Sequence, residues 1–188
     1  MVPNETSHGR PQVARLFNQL PHVSWLDNEN SGNGHYESGR PDAFVDLAGA
    51  LAYVEVKGRA YSIYLGNPLN PDDKDGWKVN QRNWYTQVCN KTGTPYWLAV
   101  WSYPELEPKR VYQEHAWLFL VRPDDWLRAE AHIFPKRTIR LETLKKVWAR
   151  LELEWEHGIW NIPYQHPFWD SLPEACAKRI LFDKLEPV

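Results

Sequence analysis

The sequence predicts a mixed α/β fold, with a central sheet of four or five strands flanked by helices, and three observations predict it. Two short apolar runs meet at Ala48-Gly49 and read as a hairpin between Pro41 and Lys57. Two more, Tyr96 to Trp101 and Ala116 to Val121, are rich in Trp, Val and Leu and flanked by proline, which suits buried strands. Residues 11–20 and 77–90 instead carry apolar side chains three and four apart, the helical period. A chain of 188 residues is long enough for one sizeable core. The reading divides it into a core domain over 1–133 and a helical extension, 134–188, packed on the same domain.

Pro11 suits a first helical position, and Val13, Leu16, Phe17 and Leu20 form the apolar stripe behind it. Val23 to Leu26 follows as a first short strand. Residues 27–40 are polar and turn-forming. Their glycines suit either a surface connection or a close approach to a phosphate chain, and His35 is a phosphate contact or a solvated loop residue. Residues 58–76 form a long connection that opens with Arg59, Tyr61 and Tyr64; 61–65 is equally readable as a short extra strand. Its aspartates lack the ligand spacing of a calcium loop.

In the helix from Trp77 to Asn90, Gln81 interrupts the stripe of Trp77, Trp84, Tyr85 and Val88. A buried glutamine there needs a hydrogen-bond partner. Gly93 stops this helix. Pro123-Asp124 ends a strand and caps a helix. Leu141, Leu144, Val147, Trp148, Leu151 and Trp155 predict an amphipathic helix of about four turns. The basic residues at its start, including Lys136, Arg137 and Arg140, read as a solvated face or as contacts to a nucleic-acid backbone. A last short helix closes the tail.

The hairpin carries the chemistry. A turn centred between Ala48 and Gly49 sets Asp42 opposite Glu55, and Lys57 shares the face of Glu55 because side chains alternate. Ala43, Val45, Leu47, Ala52, Val54 and Val56 fall on the other face and suit a core. Two converging carboxylates repel unless a proton or a cation neutralises them, and Mg²⁺ often takes only one or two carboxylates plus waters. A surface Glu55–Lys57 salt bridge on an ordinary hairpin is the alternative.

Pro41-Asp42 followed by Glu55-Val56-Lys57 resembles the signature of the PD-(D/E)xK nuclease superfamily, which holds restriction enzymes and archaeal-type Holliday junction resolvases. The resemblance spans residues 40–101, roughly a third of the chain. It implies a restriction-endonuclease-like core and a Mg²⁺-dependent endodeoxyribonuclease, with Mn²⁺ able to substitute. Asp42, Glu55 and the Val56 carbonyl would hold the metal, and Lys57 and Gln81 would complete the catalytic set. Arg59, Lys78, Arg82, Lys136, Arg137 and Arg140 are the candidate DNA contacts. The small size resembles the junction resolvases, phage ones included, which implies a homodimer on branched DNA. A restriction- or repair-type nuclease, or a non-catalytic nucleic-acid-binding module, are the alternatives. Relatives often supply a further acid from the N-terminal helix; residues 11–20 have none, which leaves Glu5 or Glu37.

Net charge of −2 gives no global basic field and counts against unspecific coating of duplex. Cys89 and Cys176, far apart and outside any CxxC pair, read as reduced thiols of a cytoplasmic protein. No secretory signal and no membrane-length apolar run is visible. The seven histidines show no zinc-ligand spacing. Eleven tryptophans read as packing, or in part as platforms for unpaired bases.

Overall fold

The structure is a computed structural model that describes residues 9–28, 39–60, 62–73, 75–103 and 116–185, without the side chains of 59, 60, 103 and 183–185. Its centre is a seven-stranded mixed sheet. In spatial order the strands are β1 (Val23–Asp27), β2 (Ala43–Leu47), β3 (Ala50–Ala60), β5 (Tyr96–Tyr103), β6 (Trp117–Val121), β8 (Glu152–Glu156) and β9 (Ile159–Asn161). Only β3 and β5 pair in parallel. A parallel pair needs a long crossover. Here it carries β4 (Ser62–Tyr64), α2 (Val79–Trp84), a π-helical turn over Tyr85–Cys89 and the short α3 (Asn90–Thr92). Gly93 ends this helical run in the left-handed region at φ 71°. β4 pairs with β7 (Thr138–Arg140) in a separate ribbon.

The central strands of the sheet are buried on both faces. α1 (Arg10–Asn18) and α6 (Glu174–Leu185) cover one, where Val13, Leu16, Phe17 and Ile180 pack with Val45, Val54, Val56, Trp97 and Trp101. α2, α4 (Pro123–Ile133) and α5 (Leu141–Val147) cover the other, around Trp77, Leu98, Phe119, Trp126, Leu144 and Trp148. Each buried aromatic removes about 150–250 Å² from water. None of the eleven tryptophans is exposed, so packing accounts for them.

Two expectations need correction. The sheet has seven strands rather than four or five. The helix expected over 141–155 ends at Val147, and after a 3₁₀ turn at Ala149–Leu151 the chain becomes β8. The segment Glu152 to Glu156 alternates, with Leu153 buried and Glu154 and Glu156 exposed, which is strand period. Leu151 and Trp155 happen to satisfy helical spacing as well. Residues 134–185 therefore contribute β8 and β9 to the main sheet as well as helices.

Candidate active site

The hairpin register is the one the turn position predicts. Ala43 pairs with Val54, Phe44 with Tyr53 and Leu47 with Ala50, so one step further sets Asp42 level with Glu55. Gly49 sits at the turn with φ 102°, and its N–H donates to Asp46 Oδ1 at 2.7 Å. Alternation then divides the faces. Ala43, Val45, Leu47, Ala52, Val54 and Val56 are buried against the α1 side, while Glu55 and Lys57 point to the α2 side.

Glu55 is 2% exposed and Lys57 6%. The Lys57 ammonium donates to Glu55 Oε1 at 2.6 Å. Gln81 Nε2 donates to the same oxygen at 2.5 Å, and Gln81 Oε1 accepts from the Lys78 N–H at 3.1 Å. As the third residue of α2, Gln81 satisfies one of the unpaired N–H groups at that helix end while its other amide atom holds Glu55. Gly39 sets the depth of this helix end. At φ 58°, its missing Cβ would lie 2.2 Å from the Asn80 carbonyl oxygen.

Asp42 is held differently. One carboxylate oxygen accepts from the Val56 N–H at 2.8 Å, and the other is paired with the Arg10 guanidinium at the start of α1. Both acids act on the buried Tyr96 hydroxyl. Burial pushes its pKa well above the usual tyrosine range, and the negative charges of Glu55 and Asp42 push it further. Arg10 was not visible as a site residue in the sequence; its only signal is its place just before the helix-opening Pro11.

The remaining expected residues scatter. Lys78 is half-buried at the start of α2. Arg82 is turned inward: it pairs with Glu130 on α4, donates to the carbonyls of Trp77 and Leu65, and lies 4.6 Å over the Trp77 ring. Its guanidinium fastens α2 to α4, with four of its five N–H donors engaged inside the protein. Lys136 and Arg140 are exposed and Arg137 half-buried, around β7. The side chain of Arg59 lies outside the described residues, as do Glu5, Glu37, His35 and Tyr61.

A divalent ion can be tested against these groups. Among the described residues no cluster of three acidic, histidine or cysteine side chains occurs, so the donor set is two carboxylates and the Val56 backbone. Hard carboxylate oxygens in that number suit Mg²⁺, which keeps several waters. The positive charge such a pair requires is supplied by Arg10 and Lys57. Carboxylate and carbonyl oxygens are donors of the kind Mg²⁺ takes, and Arg10 stands where it competes for Asp42. Comparison with protein-family models, curated proteins and solved structures found no match. Among the described residues no helix is long and apolar enough to cross a membrane.

Proposed function

We propose that the chain is a metal-dependent endodeoxyribonuclease of PD-(D/E)xK type, selective for branched DNA and acting as a homodimer. The observation that carries this reading is the buried group formed by Glu55, Lys57 and Gln81, on a hairpin whose register sets Asp42 level with Glu55. Asp42, Glu55 and the Val56 carbonyl would hold Mg²⁺, with Mn²⁺ able to replace it. When bound, the ion supplies an activated water and charge neutralisation at phosphorus. Gln81 fixes the Glu55 carboxylate, and Arg10 must leave Asp42 before that oxygen becomes a ligand. Lys57 keeps positive charge where negative charge builds on the phosphoryl oxygens.

A two-fold dimer matches the paired equivalent strands of a four-way junction. The second reading, a non-catalytic DNA-binding module, draws on one observation: both acids are already paired with basic side chains. A cleavage panel separates the two. Junction, flap, single strand and linear duplex are incubated with Mg²⁺ or Mn²⁺ and with wild type, Asp42→Asn or Lys57→Ala. The nuclease reading expects symmetric cuts in the junction by wild type and a loss of at least a hundredfold in both variants. DNA bound by wild type but left intact with either metal would overturn it.

A further inference from the structure

Beside the β4–β7 ribbon lies an open groove of about 810 Å³, within the range of ligand-binding clefts. His132 from the end of α4, Lys136 just before β7, Thr138 and Arg140 from β7, and Ser62 from β4 supply its polar walls. Among the described residues that line it, none is acidic. At its rim Phe134 is 69% exposed, and the Arg137 guanidinium lies 5.8 Å from the centre of its ring. An exposed aromatic ring beside a cation, at the edge of a trough of basic and hydroxyl groups, combines the two elements that bind unpaired strands: a stacking face and a phosphate track.

We infer that this groove binds single-stranded nucleic acid, with a base on Phe134 and phosphates on Lys136 and Arg140. A duplex hides its base faces, so the exposed ring has no use for one. The overall charge of −2 likewise provides no broad field for duplex, whereas a local track suffices for a single strand. The choice of DNA as the strand rests on the nuclease reading, which the groove deepens by naming the unpaired arm as the recognised feature. Ser62 follows Lys57 by five residues, so the groove lies within about 18 Å of the buried lysine along the chain.

The test is fluorescence anisotropy of the full chain with a labelled oligothymidine and with a duplex of equal length, in EDTA so that no cleavage occurs. The single strand is expected to bind more tightly than duplex. Phe134→Ala should weaken it about tenfold and Phe134→Tyr restore it. Lys136→Gln with Arg140→Gln should lower the salt slope by about 1.4 for the two lost phosphate contacts. Circular dichroism checks that each variant is folded. Wild type without affinity for the strand, or folded variants that bind as wild type does, would overturn the inference. Strand binding that follows Phe134 in a protein that cleaves nothing keeps the groove and removes the nuclease; junction cleavage by a protein whose strand binding is indifferent to Phe134 does the reverse.

Discussion

At the residue scale the decisive contact is the Glu55–Lys57 pair, at 2.6 Å and nearly closed to solvent. Taking both charges out of water costs several kcal/mol per ion, offset only by close geometry and further hydrogen bonds such as that from Gln81. Removing one partner takes the close opposite charge from the other. Lys57→Met should therefore destabilise the fold by about 3–5 kcal/mol in urea unfolding, and adding Glu55→Gln should restore much of that. A Lys57→Met chain as stable as wild type would show that Glu55 has another neutralising partner. The hairpin register was legible in the sequence because a two-residue period and one turn position set which residues of β2 and β3 face each other. Arg10 was not, because its meeting with Asp42 spans 32 positions and depends on how α1 docks. The pairing of Arg82 with Glu130 was not legible for a related reason: its place on the helix flank gives no sign that α4 packs over it.

At the element scale the site depends on where α2 begins. Gln81 reaches Glu55 only if the first turn of α2 sits against Gly39, and that contact has no room for a side chain. Gly39→Ala combines a left-handed backbone with a clash against the Asn80 carbonyl, and about 2–5 kcal/mol of stability should be lost. Gly93→Ala is the control, since its Cβ would meet nothing within 4 Å and only the left-handed cost of about 1–2 kcal/mol remains. Thermal or urea unfolding of the pair checks the order. Equal effects would mean that α2 yields easily at its start. Most strands and helices were readable from period alone. The helix expected through Trp155 was not, because Leu151 and Trp155 fit both periods and only pairing of β8 with β6 decides between them.

For the whole molecule, two cores on opposite faces of one sheet leave the acid pair at the end of the β2–β3 hairpin, between the layers of α1 and α2. Arg10 comes from the first layer and Gln81 from the second. A cation shared by Asp42 and Glu55 would thus tie the two layers through the hairpin. Isothermal titration of Mn²⁺ into wild type, Asp42→Asn and Glu55→Gln at neutral pH tests this most directly. One ion per chain in wild type, weakened at least tenfold in each variant, is the result a shared ion predicts. Wild type that takes up no ion, or variants that bind it as wild type does, would contradict it.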